Sequence, residues 1–410
     1  MGTSVNKRIL VGVTGGIAAY KAADLIRRLG DAGAETRVVM TRSAAEFITP
    51  LTLQAVSGHP VYQQLLDTEA EAGMGHIDLA RWADAILVAP ASANFIARLA
   101  QGRADDLLSA ICLAAAVPVA VAPAMNQQMW ANAATQENLR TLRARNVRVF
   151  GPAAGEQACG EVGPGRMLEP LELVARAGDL FETGDLEGLK IVVTAGPTWE
   201  AIDPVRGITN RSSGKMGYAV AQAAAEAGAR VVLVSGPTAL PDPPRVQTLR
   251  VVSAQEMYDA VQAQLDGAHM FIGVAAVADY RLAEPAPSKI KKTAERLTLE
   301  LVRNPDILAA AARRQPRVFT VGFAAETDDT ENHARAKLNA KGIDLVAANR
   351  VGGGFGFEAD DNELLLVDRS GATKLERAPK SALARRLIHE IAARYHAKNR
   401  AENPRQAHRP

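Results

Sequence analysis

Cysteine is nearly missing from this chain. Two residues in 410, Cys112 and Cys159, cannot build a disulfide framework, and a reducing, cytoplasmic setting fits them best. Aromatic residues are also scarce, at 4%. The core must therefore be made from Ala, Val and Leu, which suits helices packed closely on a parallel sheet. Neither sign of charge dominates, with 47 Lys and Arg against 45 Asp and Glu. That balance gives no electrostatic case for nucleic acid or a membrane surface. The uncharged run Leu107–Met125 is broken by Pro118 and Pro123, so it reads as a buried helix and a strand, not a membrane span. Ile9–Val13 is too short for the apolar region of a signal peptide, and Asn6 breaks a myristoylation pattern. Neither Gly12, Gly15 and Gly16 nor the turn at Gly196 spells G-x-G-x-x-G. Ser213-Gly-Lys215 is no Walker loop, because Thr209 and Met216 stand at two of its required positions. No second His or Cys stands at ligand spacing from His76, which argues against zinc.

What is present begins twice. Lys7-Arg-Ile-Leu-Val-Gly-Val-Thr-Gly-Gly16 and Lys190-Ile-Val-Val-Thr-Ala-Gly-Pro-Thr198 are both a basic residue, a short β-branched run and a small-residue turn. Runs of that kind are strands buried on both faces of a parallel sheet. A length of 410 suits two domains of roughly 200 residues. The predicted fold is α/β with domains 1–189 and 190–410, joined through Thr183–Gly188. In the first, strands are expected at Ile9–Val13, Glu35–Met40, Ala85–Ala89, Val117–Ala122 and Val147–Phe150, with a helix over Ala18–Leu29. A five-glycine loop over Gly151–Gly165 and a helix over Pro170–Glu182 close it. In the second, strands are expected at Ile191–Val193, Arg230–Val234, Met270–Val274, Arg317–Phe323, Leu345–Ala348 and Glu363–Asp368. Its helices are expected at Gly214–Gly228, Ala254–Gln264, Pro305–Arg314, Glu331–Lys341 and Ser381–Tyr395, and the tail Asn399–Pro410 reads as disordered.

Several residues could carry chemistry, and each has a plainer reading. Both glycine turns can present N–H groups to a phosphate, or can simply pack a strand on a helix. His76 suits a general base, although a lone His is more often structural. Cys112 lies in an apolar run and reads as core, whereas Cys159 lies in the glycine loop and could deliver a proton from a lid. Asn126 could hold a carboxylate through an uncharged amide, or cap a helix. Lys289, Lys291 and Lys292 follow a strand end that carries Asp279. Lys337 and Lys341 share a helix face. Lysines gathered near sheet ends suit a triphosphate, though a basic run is usually a solvated face.

In this order the motifs resemble the bifunctional enzymes of coenzyme A biosynthesis, which join a phosphopantothenoylcysteine decarboxylase to a phosphopantothenate–cysteine ligase. The N-terminal marks are Thr14–Lys21, Gly75-His76, Pro90-Ala-Ser-Ala-Asn94, Pro123–Trp130 and Ala158-Cys-Gly-Glu-Val-Gly-Pro-Gly-Arg-Met167. The C-terminal marks are Thr194–Thr198, Asp203-Pro-Val-Arg206, Thr209–Gly217, Ala275–Tyr280, Lys289–Lys292, Asn304–Ile307 and Gly322–Thr327. Each is weak alone, while their joint order is specific. Glu161 departs from the pattern, in which Asp is expected, and Arg211 stands where the family varies.

The resemblance implies a flavodoxin-like FMN domain followed by a Rossmann-like, doubly wound ligase domain. It implies that Gly15, Gly16, Ser43, Ser92 and Asn94 help hold FMN. His76 would assist oxidation of the substrate thiol, Asn126 would orient the carboxylate, and Cys159 would protonate the enethiolate. In the second half, CTP would activate 4'-phosphopantothenate as an acyl-cytidylate that L-cysteine then attacks. Asp279 would read the cytidine and Lys289 would offset phosphoryl charge with Mg2+. Asn210 would hold the acyl-cytidylate, with Arg206 a weaker candidate beside it. Pro305, Asp306, Ile307, Phe323, Lys337 and Lys341 match positions around the nucleotide. The resemblance also implies a homo-oligomer, a dodecamer built from dimers and trimers. Two other readings compete. A flavin-binding regulatory subunit could lack His76, Asn126 or Cys159, all of which are present; a nucleotide-dependent dehydrogenase would want the missing G-x-G-x-x-G.

Overall fold

The computed structural model describes residues 7–65, 75–158, 160–291, 297–326, 329–350 and 361–402. Cys159, Lys292, Thr327 and the loop Gly352–Gly356 lie outside the described residues. By its internal contacts the chain divides into two units, residues 1–182 and 183–410.

The N-terminal unit holds one sheet of β1 Arg8–Val13, β2 Glu35–Met40, β3 Val61–Tyr62, β4 Ala85–Ala91, β5 Val119–Pro123 and β6 Arg148–Val149. Every pair is parallel, in the order β3-β2-β1-β4-β5-β6. Without the two-residue edge strand β3, this is the flavodoxin order 2-1-3-4-5, as the resemblance implies. Successive strand residues serve opposite faces. Ile9, Val11 and Val13 join Leu25 and Leu29 of helix Lys21–Asp31 on one face. Leu10, Val88 and Val121 join Phe95, Ile111 and Cys112 on the other. Cys112 is thus a core residue, and burial pushes its thiol pKa up to about 12.

Two local expectations need correction. The first helix is preceded by a 3-10 turn over Ile17–Tyr20 and begins only at Lys21. The glycine loop is in fact an antiparallel hairpin, β7 Ala153–Glu156 with β8 Val162–Arg166. Glycine is depleted in strands, but here Gly155 and Gly165 take φ of 152° and 145°, which other residues rarely adopt.

The C-terminal unit is built on β9 Lys190–Ala195, with the small hairpin β10 Trp199–Ala201 and β11 Gly207–Thr209 at its carboxyl end. Then come β12 Arg230–Ser235, β13 Val246–Arg250 and β14 Met270–Gly273. A second hairpin, β15 Tyr280–Leu282 with β16 Leu301–Arg303, precedes β17 Phe319–Glu326 and β18 Leu345–Arg350. The last strands are β19 Asp361–Val367 and β20 Ala372–Pro379. The main sheet runs β13-β12-β9-β14-β17-β18-β19-β20. Its first six strands are parallel and its last two pairings antiparallel. Counted along the sheet this is 3-2-1-4-5-6 with an added hairpin, the doubly wound Rossmann order. Ile191, Val193 and Leu233 pack with Leu383, Leu387 and Ile391 of helix Lys380–Glu402. Val192, Val234 and Phe271 pack on the other face against Met257 and Val261. That last helix corrects the expectation of a disordered tail between Asn399 and Glu402, because the helix continues through these residues.

Candidate active sites

In an open α/β sheet, ligands bind outside the carboxyl ends of strands, at the point where the strand order reverses. In the N-terminal sheet that point lies between β1 and β4. Thr14 ties the two strand ends: its Oγ1 donates to Pro90 O at 2.8 Å and accepts from Ser92 N at 2.9 Å. Gly15 is required by close approach, because a Cβ there would stand 2.6 Å from both Cβ and Oγ of Ser43. Ser92 also caps helix Ala93–Ala100, accepting from Phe95 N at 3.3 Å.

Two clefts open from this point. A cavity of about 420 Å3 is lined by Thr14, Ser43, Ser92, Asn94 and Arg98. A larger one of about 680 Å3 is lined by Gly15, Gly16, Ser92, Asn126, Met129 and the hairpin residues Gln157 and Arg166. The five residues assigned to FMN are therefore divided between two clefts that share Ser92. Their donors are hydroxyls, an amide and backbone; Arg42 lines the smaller cleft beside Glu46, while two other nearby cations are already matched. Arg98 pairs with Asp106 at 2.8 Å, and Lys21 with Glu169 at 2.6 Å. The larger cleft also bears Ile17, Tyr20 and Met129, which are 64%, 61% and 49% exposed. Large apolar side chains left open beside neutral phosphate donors fit a group with a phosphate at one end and a flat apolar ring at the other. Sequence reasoning quoted Tyr20 and Met129 within motifs but gave them no part.

Asn126 caps a helix and also meets a carboxylate of its own chain. Its Oδ1 accepts from Gln128 N at 2.8 Å as the cap of helix Gln127–Ala131. Its Nδ2 points the other way and donates to the Glu161 carboxylate at 2.6 Å. His76 opens helix His76–Trp82, half-buried, and lines neither cleft.

In the C-terminal unit the order reverses between β9 and β14, and there the strand ends are tied by backbone and by Thr194 Oγ1, which accepts from Ala275 N at 3.3 Å. Gly196 turns the chain at φ 73°, and a Cβ there would meet Thr238 Cγ2 at 2.9 Å. Ala276 N donates to Gly196 O at 2.9 Å, and Thr198 N to Ala276 O at 3.3 Å. The open cavity, about 550 Å3, lies at the ends of β9, β14 and β17, with Thr194, Gly273 and Phe323 in its lining. It brings together Asp279, Pro305, Asp306, Ile307, Phe323, Lys337 and Lys341, seven positions that the sequence leaves up to 62 residues apart. Asp306 caps helix Ile307–Ala312 and contacts Lys341 Nζ. Burial pushes its carboxyl pKa up. The Lys341 hydrogen bond, the Ala309 N–H and the Lys341 and Arg313 charges outweigh that and hold it below the usual carboxylate range. Lys337 Nζ donates to Phe323 O at 2.6 Å. Arg303 and Asn304 join the lining. Asn304 N donates to Asp279 O at 2.9 Å, which shapes that wall.

Asn210 and Lys289 fall outside this cavity. Asn210 lines a separate cleft of about 390 Å3 with Trp199, Ser212 and Ser213. Its Nδ2 donates to Ala276 O at 3.0 Å, so it reaches the tied strand ends. Lys289 is exposed. Its neighbour Ile290 is anchored, with its N–H on Asp203 Oδ2 at 3.1 Å and its carbonyl accepting from Arg206 at 3.3 Å. Asp203 is buried, which raises its pKa. Backbone N–H groups of Val205, Ile290 and Arg206 and the Arg206 charge reverse the effect and hold it low. The Asp203–Arg206 motif thus positions the lysine segment. Among the described residues no group of three His, Cys, Asp or Glu side chains is placed to hold a metal ion. No described helix is long and apolar enough to cross a membrane.

Fold and sites together define a two-unit α/β protein. The N-terminal crevice adds hydroxyls, glycine backbone and exposed apolar surface to matched ion pairs, and the C-terminal one gathers lysines and carboxylates. Residues 2–180 match the family described as Flavoprotein, and residues 186–395 the DNA/pantothenate metabolism flavoprotein C-terminal domain. The chain is 57% identical over 395 residues to the coenzyme A biosynthesis bifunctional protein CoaBC of Vibrio vulnificus (strain YJ016), covering 95% of this chain and 98% of that one. Against the protein of that name from Escherichia coli (strain K12) it is 54% identical over 400 residues, covering 96% and 98%. A crystal structure of the C-terminal domain of a CoaBC protein is 38% identical, covers 52% of this chain and 100% of that one, and aligns with a TM-score of 0.46. The chain belongs to the family of coenzyme A biosynthesis bifunctional proteins.

Proposed function

We propose that this chain makes 4'-phosphopantetheine in two steps, with ligation in residues 190–410 and decarboxylation in residues 1–189. The observation that carries the ligase reading is the gathering of Asp279, Asp306, Lys337 and Lys341 around one cavity. There a carboxylate of 4'-phosphopantothenate would attack the α-phosphorus of CTP and expel pyrophosphate. The amine of L-cysteine would then attack the acyl carbon and release CMP. Lys337 and Lys341 would offset triphosphate charge, and Mg2+ would enter with the nucleotide. Asp279 and the turn Pro305–Ile307 would hold the nucleoside. Lys289, on its anchored segment, would meet the transferring phosphoryl group, and Asn210 the acyl-cytidylate.

In the first unit, Gly15, Gly16, Ser43, Ser92 and Asn94 would hold FMN through hydroxyls and backbone N–H groups. FMN supplies the reversible oxidation of the substrate thiol that labilises the carboxylate. Asn126 would orient that carboxylate through a neutral N–H, which binds the anion without the charge that would stabilise it against loss of CO2. Cys159 would deliver a proton to the decarboxylated product and His76 would accept one from the thiol. His76 lines neither cleft of its own chain, which favours a site completed by another copy and hence a homo-oligomer. A cytoplasmic location fits these substrates.

The test is an incubation of purified protein with 4'-phosphopantothenate, L-cysteine, CTP and Mg2+. The protein is expected to be yellow, to release pyrophosphate and CO2, and to form 4'-phosphopantetheine. A colourless protein that takes up no FMN would sink the decarboxylase half, and absence of CTP turnover would sink the ligase half.

A further inference from the structure

The tip of the β7–β8 hairpin brings a carboxylate to the wall of the larger N-terminal cleft. Glu161 Oε2 accepts from Asn126 Nδ2 at 2.6 Å and from Gln127 Nε2 at 3.3 Å. Two side-chain amides on adjacent residues thus converge on one carboxylate oxygen. The convergence is held from several sides. Gln127 N donates to Gln157 Oε1 at 3.1 Å, Gln157 N to Glu161 O at 2.8 Å, and Met125 N to Gly165 O at 2.9 Å. A Cβ at Gly163 would stand 2.0 Å from Gln127 Oε1, so the hairpin is pressed directly onto that side chain.

Both donors are neutral. They bind a carboxylate by hydrogen bonding alone, which suits a receptor whose guest must leave as CO2. The Asn126–Glu161 contact is exposed to solvent, so it is weak enough to exchange for a second carboxylate. We propose that Asn126 and Gln127 together form the receptor for the substrate carboxylate, and that Glu161 occupies it as a built-in competitor until substrate arrives. The proposal rests on the decarboxylase reading above and extends it in two ways. Gln127 becomes a second substrate-binding residue, and Glu161 sets the concentration at which substrate can enter.

The test uses the full-length, FMN-loaded protein and CO2 release from 4'-phosphopantothenoylcysteine. Glu161→Gln and Glu161→Ala are each expected to lower KM by about 3- to 10-fold, with a smaller effect on kcat, as for loss of one charge-assisted hydrogen bond. With the competitor removed, Gln127→Leu in the Glu161→Ala background is expected to raise KM by a similar factor over Glu161→Ala alone. A KM unchanged or raised in both Glu161 variants, or a KM in the double variant equal to that of Glu161→Ala, would overturn the proposal. Failure of the decarboxylase reading looks different, since wild-type protein would then release no CO2 at all. The receptor can be read without turnover by titrating acetate and following hydrogen exchange at the Gln157 amide. Acetate should speed that exchange in wild type by releasing the hairpin tip, and exchange should already be fast in Glu161→Ala. Exchange indifferent to acetate in wild type would count against the receptor.

Discussion

In the N-terminal sheet, the ends of β1 and β4 are tied through Thr14, whose N–H and hydroxyl both donate to Pro90 O and whose Oγ1 accepts from Ser92 N, and clefts open beside the tie. In the C-terminal sheet, the matching ends of β9 and β14 are tied through Gly196, Thr198 and Ala276 and by Thr194 Oγ1, which accepts from Ala275 N at 3.3 Å, and the main cavity takes in Thr194 and extends past β14 to β17. Both sheets use the order 3-2-1-4-5-6 through their first six strands. The shared order opens a crevice at the reversal in both units, and the side chains around it set what each can hold. The linings differ to match. Hydroxyls and glycine suit a phosphate monoester and a flat ring, whereas Lys337 and Lys341 suit a triphosphate.

The comparison breaks most sharply at single residues that should silence one unit and spare the other. Lys289→Gln is expected to lower pyrophosphate release by about 10^3-fold, the scale of losing one transition-state charge contact, while FMN content and decarboxylation persist. A variant that keeps full ligase activity would remove Lys289 from the site. Gly15→Ala forces a Cβ against Ser43. FMN affinity should fall by about 10- to 100-fold, as overpacking of this kind costs about 1–3 kcal/mol. Equilibrium dialysis of the flavin measures it, and CTP turnover should not change. Lys341→Met removes one of two lysines from the nucleotide cavity, and KM for CTP should rise about tenfold, the equivalent of about 1.4 kcal/mol.

Smaller effects are expected at the C-terminal tie. Thr198 Oγ1 accepts from the buried Ala278 N–H at 3.0 Å. Thr198→Val should destabilise the C-terminal unit by about 1–3 kcal/mol, read by chemical denaturation, because that donor is left unpaired. The least is expected from acid. Asp306 and Asp203 are both held below the ordinary carboxylate value of about 3.9. Their stabilisation is complete above that pH and is lost as pH falls through their lower folded values. Stability of the C-terminal unit should therefore drop on acidification below about pH 4, and Asp306→Asn should flatten that drop.

Most sheet strands were legible because a buried parallel strand carries a short apolar run between polar turns, as in Val38–Met40 of β2, whose bounds Glu35–Met40 match those expected. The helix Ala254–Gln264 also matches its expected bounds. The edge strand β13 escaped notice because Val246–Arg250 is half-exposed and carries no such run. β20 was missed for a like reason, being mostly exposed with Lys374, Glu376 and Arg377 along it. The β7–β8 hairpin was hidden by its glycines and Pro164, which read as loop. At the sites, Ser92, Asn126 and Asp306 each cap a helix; the sequence offers a cap reading only for Asn126, because no helix is expected after Ser92 and the one at Asp306 is expected to begin already at Pro305. No sequence signal placed Asn210 and Lys289 apart from the nucleotide cavity, or His76 away from both clefts. Such placements depend on how loops pack across tens of residues. The Asn126–Glu161 pair was equally out of reach, because Glu161 registers in sequence only as a departure from an expected Asp.

The most direct measurement follows pyrophosphate and CO2 together in full-length Asn126→Asp supplied with 4'-phosphopantothenate, L-cysteine, CTP and Mg2+. The substitution sets a second carboxylate against Glu161 and against the substrate carboxylate, and touches nothing in the CTP cavity. Two separate sites predict wild-type pyrophosphate release, loss of CO2 by at least about 100-fold, and accumulation of 4'-phosphopantothenoylcysteine. Pyrophosphate release that falls together with CO2, or CO2 release at the wild-type rate, would contradict the division of labour between the two units.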